Sequence, residues 1–157
     1  MKFVIYSSKQ SIGEYSLINK KQIFNIYKNC LDLAEHSTLH IQMGCMVTDK
    51  KGNLLSSGFN TYKEHPLQSR FKYRPDATGM HAEISALSSI WKEDLSDAIL
   101  FVFRKPRSKV GHQSRPCSGC MKAIREKGIK VIYYCDKNGN IIKEENLGSE
   151  IIKENIK

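Results

Sequence analysis

The sequence lacks any apolar run that approaches the roughly 20 residues needed to cross a bilayer. Its first residues, MKFVIYSSKQ, form an apolar patch too short for the core of a signal peptide, and no small-residue cleavage site follows. Internal repeats, low-complexity tracts and linkers are also absent. The sequence therefore predicts a cytoplasmic protein without a membrane partner. We expect one domain over 1–157, with a core at about 20–143 and a charged C-terminal helix or tail at 144–157.

Acidic residues are scarce, because 16 Asp and Glu face 25 Lys and Arg, which gives a formal net charge of +9. Such an excess favours anionic partners, namely nucleotides, nucleic acid or, less readily, a membrane surface, and it does not choose among them. Hydrophobic residues make up 40% of the chain and charged residues 26%, which is typical of a globular protein and excludes a disordered one.

Cysteines number only five, and the odd count does not suit a disulfide framework in a reducing compartment. Cys30 falls in a predicted helix and Cys45 and Cys135 in predicted strands, so we expect these three to be small buried hydrophobic residues. The close pair Cys117 and Cys120 instead has the spacing of metal-binding or redox-active cysteines.

Hydrophobic periodicity predicts three helices and four strands along the chain. The helices are expected at 20–37, 80–91 and 117–127, and the strands at 39–49, 54–60, 98–104 and 129–136. The first two strands form a hairpin, and the last two, joined through a helix, are parallel neighbours with a right-handed crossover. The predicted fold class is α/β, a three-layer sandwich with a mixed central sheet of about five strands flanked by helices.

Two short motifs carry the residue types of a zinc site, HAE at 81–83 and PCSGC at 116–120. One imidazole and two thiolates are good zinc ligands, and three protein ligands leave a fourth position for water. Both motifs fall where a helix begins, and the positive end of a helix lowers the pKa of a cysteine. A structural site closed by His112 as a fourth ligand is the alternative that the spacing leaves open.

Taken in order, the two motifs resemble the H-x-E…P-C-x-x-C signature of the zinc-dependent cytidine and deoxycytidylate deaminase superfamily. The resemblance extends over about 39–136 and implies a cytidine deaminase-like fold. It also implies that His81, Cys117 and Cys120 bind one catalytic Zn²⁺. Members of this superfamily are commonly dimers or larger, which implies a homo-oligomer.

The resemblance assigns further roles to residues around that metal. Glu83 would shuttle a proton to the ring nitrogen of a cytosine and then to the departing ammonia, leaving the uracil form. Asn60, in the SSGFN segment, would hydrogen-bond the sugar or the base, and the backbone N–H of Ala82 would orient the base. A small-molecule cytosine nucleotide is the implied substrate, with deoxycytidylate favoured.

The chain departs from the pattern of the superfamily in two segments, 61–79 and 105–115, both of which are expected to border the mouth of the pocket. Their basic and aromatic residues suit a phosphate or stacked bases. Arg115 and Lys105 are the strongest candidates for phosphate contact, and His65 is a candidate for contact with base or phosphate.

Two alternatives remain open at this level. The same chemistry could act on a base within RNA or single-stranded DNA, as the positive net charge suggests. From a different class, the chain could be a non-catalytic, zinc-stabilised nucleic-acid-binding module.

Overall fold

The computed structural model describes residues 18–91, 94–107, 111–145 and 147 in full and residues 3–6 by their backbone. The elements in chain order are β1 (Phe3–Tyr6), α1 (Lys20–Ala34), β2 (Met43–Thr48), β3 (Leu54–Phe59), α2 (Pro66–Arg70), α3 (Ala82–Ser88), β4 (Ile99–Arg104), α4 (Ser118–Glu126), β5 (Val131–Cys135) and β6 (Ile141–Glu144).

The strands form one mixed sheet in the order β1-β6-β5-β4-β2-β3. The pairs β1/β6 and β4/β5 are parallel, while β2/β3, β2/β4 and β5/β6 are antiparallel. The predicted α/β class, the hairpin and the parallel pair are therefore confirmed. The described sheet has six strands where about five were expected, because the short strands β1 and β6, of four residues each, give no clear periodic signal.

Helices cover both faces of the sheet, which produces the three layers. The central strand β4 is buried on both sides, as its continuous apolar run predicts. Ile99, Phe101 and Phe103 pack toward α1, whereas Leu100 and Val102 belong to the core under α3 and α4. Helices α3 and α4 therefore lie on one side of the sheet, and α1 lies on the other.

Helix α1 follows its sequence signals closely. Asn19 accepts a hydrogen bond from the backbone N–H of Gln22, and the Gln22 side chain accepts one in return from the backbone of Asn19, which forms a capping box. Its apolar stripe faces the sheet, and Cys30 is fully buried there. Cys45 and Cys135 are likewise buried in strands, as predicted.

The segment 61–79, expected to be a long loop, contains the short helix α2 and is closed at its base. Thr61 and Met80 exchange two backbone hydrogen bonds of 3.0 and 2.9 Å. Gly79 has a φ of 81°, and a Cβ there would lie 2.7 Å from the carbonyl oxygen of Thr61. Because its base is closed, the segment 61–80 is a compact loop whose two ends lie close together.

Helix α3 is shorter than the predicted 80–91. Met80 is held extended by its bridge to Thr61, so the helix begins only at Ala82. At the other end, the hydroxyl groups of Ser88 and Ser89 donate to the carbonyl oxygen of Ser85, and such local bonds compete with continued helix.

The charged helix or tail predicted at 144–157 lies mostly outside the described residues, although Glu144 is the last residue of β6. Within the described part of the chain, no helix combines the length and the hydrophobicity required to cross a bilayer.

Gly44 allows α1 to pack closely on β2, and we expect Gly44→Ala to destabilise the protein. A Cβ at this position would lie 1.9 Å from the carbonyl oxygen of Cys30, which belongs to helix backbone and has little freedom to move. Overpacking of this kind costs about 1–3 kcal/mol in the free energy of unfolding, measurable by urea denaturation. Gly111→Ala is the control, since its nearest atom would be 3.8 Å away; equal stability of the two variants would refute the packing argument.

Candidate active site

Two helix N-termini bring the HAE and PCSGC motifs together. His81 is the N-cap of α3 and Cys117 the N-cap of α4, and both have extended backbones, with φ/ψ of −72°/157° and −67°/168°. Because His81 precedes the helix, the 200° separation that regular helix would impose between it and Glu83 does not apply. Cys120 lies in the first turn of α4, where it faces Cys117 and His81.

The three ligand atoms lie close enough together to hold one metal ion. The Nδ1 atom of His81 is 3.5 Å from the Sγ of Cys117 and 3.3 Å from the Sγ of Cys120. All three atoms fall within 4.8 Å of one another. A tetrahedral zinc site, with Zn–S near 2.3 Å and Zn–N near 2.0 Å, separates nitrogen from sulfur by about 3.5 Å. The donor set therefore fits Zn²⁺, and the predicted zinc cofactor is confirmed.

No fourth protein ligand joins these three among the described His, Cys, Asp and Glu residues. The ring of His112, the sequence-based alternative, instead lies beside Gly139, where its carbon Cδ2 would be 3.2 Å from an added Cβ. Three protein ligands are the arrangement of catalytic zinc sites, which keep a position for water.

The thiol groups sit in surroundings that separate their pKa values. Hydrogen bonding from the Cys120 side chain, then from His81 and the backbone N–H of Cys120, lowers the pKa of Cys117 to about 4 against the effect of burial. Its hydrogen bond to Cys117, together with burial, raises the pKa of Cys120. The hydrogen bond with Cys117 raises the pKa of His81. Cys117 is thus an anionic ligand even before a cation favours the second thiolate.

Glu83 is buried beside the metal ligands, with 4% of its surface exposed. Burial is the main cause that raises the pKa of its carboxyl group, and the nearby His81 opposes that rise. A carboxyl group with a raised pKa exchanges protons more readily near neutral pH than an exposed one. The burial of Glu83 beside the metal ligands and the raised pKa of its carboxyl group suit a general acid–base.

A cavity of about 340 Å³ opens over Glu83, His81 and Cys117. One part of its wall is apolar, and the other carries polar groups. The remaining lining residues are Leu39, Ile41, Met43, Asn60, Thr61, Tyr73, Thr78, Met80, Ala82 and Arg115. A largely apolar wall with a few convergent polar groups is typical of a small-molecule site.

Asn60 and Ala82, two predicted substrate contacts, line this cavity. The Oδ1 of Asn60 accepts from the backbone N–H of Met43 at 2.9 Å, and its Nδ2 donates to the carbonyl oxygen of Ile41 at 2.6 Å. These two bonds fix the amide orientation against the start of β2. Ala82 is the first residue of α3, where backbone N–H groups have no partner within the helix.

Arg115 also lines the cavity, and an ion pair fixes its guanidinium group. Its Nε and Nη2 donate to the two carboxylate oxygens of Glu144 at 3.2 and 3.0 Å. The hydroxyl of Tyr134 donates to the same carboxylate at 3.0 Å. An arginine side chain is always cationic in proteins, and the Glu144 carboxylate is the main cause that raises the pKa of Arg115 further.

Lys105 and His65 are not among the described residues that line the cavity. The Nζ of Lys105 is 2.5 Å from a carboxylate oxygen of Glu35. His65 is the N-cap of α2 and accepts the backbone N–H of Leu67 through its Nδ1 at 3.1 Å. Their contact with substrate stays a prediction.

Several wall residues had no sequence signal. Tyr73 lies with its ring centroid 5.7 Å from that of His81, and Leu39, Ile41 and Met43 form an apolar lip at the start of β2. Tyr73 belongs to the basic and aromatic segment 61–79, whose sequence does not indicate which aromatic residue reaches the site. No local pattern indicates that the residues before β2 reach the site, because that depends on the sheet order.

Comparison with known proteins agrees with this geometry. The model of the cytidine and deoxycytidylate deaminase zinc-binding region matches residues 20–136. A deoxycytidylate deaminase structure from the cyanophage S-TIM5, in apo form, is 23% identical at a TM-score of 0.51, covering 74% of this chain and 85% of its own. A cytidine deaminase structure from Burkholderia pseudomallei is 12% identical at a TM-score of 0.56, covering 80% and 93%.

The S-TIM5 enzyme in complex with dCMP and dUMP is likewise similar, at 20% identity and a TM-score of 0.52, with 74% of this chain and 82% of that chain covered. No curated protein sequence matches the chain. At these identities the structural likeness establishes the fold, while the match of the family model covers both metal-binding motifs.

Proposed function

The chain belongs to the cytidine and deoxycytidylate deaminase family, and from this premise we propose that it converts deoxycytidylate to deoxyuridylate with release of ammonia. It is a zinc-dependent deaminase of the cytidine or deoxycytidylate type. The observation that carries the choice of a nucleotide is the fixed cation of Arg115 in the wall of the same cavity as Glu83.

In the proposed reaction, a water oxygen forms a bond to C4 of the cytosine ring and the bond from C4 to the amino nitrogen breaks. His81, Cys117 and Cys120 would hold the zinc ion, which would supply a Lewis acid that lowers the pKa of water. The carboxylate of Glu83 accepts one proton of the attacking water and delivers it to the ring nitrogen; it then accepts the remaining proton of the hydroxyl group on C4 and delivers it to the departing amine. The products are the uracil form and ammonia, so the atoms balance with water as the only co-substrate.

Two polar groups with fixed positions, the Asn60 amide and the backbone N–H of Ala82, would orient the base. The Asn60 amide is held by two backbone partners and lines the cavity, where its remaining hydrogen-bonding capacity suits the sugar or the base. The N–H of Ala82 points from the start of a helix, a favourable place for a carbonyl oxygen. Two preset polar groups reduce the freedom of the bound ring.

Arg115 is the proposed phosphate contact. A guanidinium group has five N–H donors, and the ion pair with Glu144 uses two of its nitrogens while leaving other donors available. Because Glu144 also accepts from Tyr134, the cation is held in one orientation at the wall of the cavity. Such a preset fork favours a substrate with a phosphate over a nucleoside.

We expect Arg115→Met to lower kcat/KM for deoxycytidylate by about tenfold to a hundredfold, the usual loss of a hydrogen bond to a charged group. The value for deoxycytidine should change little, because the nucleoside has no phosphate. Steady-state kinetics with both substrates measures the difference. Arg70→Met is the matched control, since Arg70 pairs with Glu126 at 2.8 Å and does not line the cavity. An equal loss for nucleoside and nucleotide would contradict the assignment.

A polynucleotide substrate is the competing proposal, and the charge pattern of the described loops favours the free nucleotide. Three basic side chains of the segments 61–79 and 105–115 that do not line the cavity are already in ion pairs: Arg70 with Glu126, Arg74 with Asp76 and Lys105 with Glu35. Pairing reduces the field that attracts a polyanion.

The discriminating experiment incubates the purified protein with cytidine, deoxycytidine, their mono- and triphosphates, and single-stranded RNA and DNA, and reads uracil and hypoxanthine by mass spectrometry. Deoxyuridylate should be the main product. Products found only in oligonucleotides, with a rate that falls steeply with salt, would replace the proposal by the polynucleotide alternative.

A further inference from the structure

Helix α2 buries a single residue, and that residue is polar. Gln68 has 4% of its surface exposed, in a five-residue helix whose other side chains are exposed or half-buried. A buried amide costs free energy unless its donor and acceptor groups find partners. The partners of Gln68 are therefore the reason for its position.

The acceptor of Gln68 contacts a zinc ligand. Its Oε1 accepts the backbone N–H of His81 at 2.8 Å. His81 is the N-cap of α3, and its own side chain makes no capping hydrogen bond, because its ring turns toward the two sulfur atoms. The hydrogen bond from residue 81 to residue 68 thus fixes the backbone from which the imidazole extends.

The side-chain N–H group of Gln68 donates to the segment that packs against the second motif, PCSGC. Its Nε2 donates to the carbonyl oxygen of Phe71 at 3.5 Å. The same carbonyl group packs against Gly119, between the two cysteine ligands, so closely that a Cβ at 119 would lie 2.0 Å from the oxygen. One side chain therefore links the segment that carries His81 to the segment that packs on the start of α4.

We propose that Gln68 is a positioning residue of the metal centre, which holds the His81 ligand in register with the cysteine pair. The proposal rests on the zinc site of the family and not on which nucleotide is deaminated. Groups that orient metal ligands act on metal affinity, and loss of one typically costs 10- to 100-fold. This role gives the segment 61–80 a function in the centre itself, in addition to bordering the cavity.

The test compares Gln68→Met, which removes both polar groups at similar size, with Gln68→Glu, which keeps the acceptor for His81. Zinc affinity is measured by competition with a chelating dye in the absence of substrate. We expect Gln68→Met to weaken zinc binding by about 10- to 100-fold, and Gln68→Glu to bind about tenfold more tightly than Gln68→Met. Ser69→Ala, an exposed neighbour on the same helix, is the control and should match the wild type.

Wild-type affinity of Gln68→Met, or equal weakening by Gln68→Met and Gln68→Glu, would overturn the proposal. Amide hydrogen exchange of the unaltered protein supplies a check that needs no variant. The N–H of His81 should be protected from exchange, and rapid exchange there would equally overturn it. Since no readout involves turnover, failure here leaves the proposed reaction intact, and failure of the deoxycytidylate assay leaves the role of Gln68 intact.

Discussion

Replacing Glu83 with Gln is expected to reduce kcat for deamination by at least about a hundredfold while zinc stays bound, since a positioned general acid–base contributes about 10²- to 10⁴-fold. The amide has the size of the carboxyl group but neither accepts nor delivers the proton. Glu83 is outside the His81, Cys117 and Cys120 ligand set, so metal binding does not depend on it.

Ammonia release and zinc content per chain are the two measurements for this variant. Glu64→Gln is the matched control, because it makes the same chemical change at an exposed site. Turnover of Glu83→Gln at the rate of the wild type would remove Glu83 from the mechanism, and loss of zinc from the variant would leave the carboxyl group with a metal-binding role instead.

Cys117→Ser is expected to abolish both zinc binding and deamination with little damage to the fold. Serine is among the preferred N-cap residues, so the hydroxyl retains the cap that the Cys117 sulfur now provides to the N–H of Cys120. A serine hydroxyl stays protonated at neutral pH and is a poor zinc ligand, whereas the pKa of Cys117 is already lowered to about 4. The variant therefore separates metal binding from helix capping.

Zinc content by mass spectrometry of metals and thermal unfolding with and without added zinc measure this result. The melting temperature of the wild type should rise with zinc, because a ligand that binds only the folded state stabilises it, while that of Cys117→Ser should not respond. Cys135→Ala, which removes a buried cysteine outside the ligand set and in the core cluster shared with α1, is the control and should keep the response. A variant that still binds one zinc would contradict the assigned ligands.

Local sequence patterns predicted a large part of the fold and of the candidate site. The position of both motifs near the start of a helix, the metal-binding pair 117 and 120 and the buried strand β4 are each encoded over stretches of fewer than ten residues, and the hairpin is encoded over the continuous segment 43–59. Periodicity and capping depend on neighbouring residues, so a sequence displays them directly. The resemblance to a known signature then joined two such local patterns into one zinc site.

Only the tertiary structure decided which distant residues surround that site. The hydrogen bond from His81 to Gln68 and the ion pair of Arg115 with Glu144 join positions 13 and 29 residues apart. The apolar lip at the start of β2 reaches the cavity because β2 lies beside β4 in the sheet. Such contacts depend on strand order and loop closure, and no local pattern of charge or hydrophobicity specifies them. The sequence predicted a zinc centre and its three candidate ligands, while the fold assembled the hydrogen bonds and the cavity wall around them.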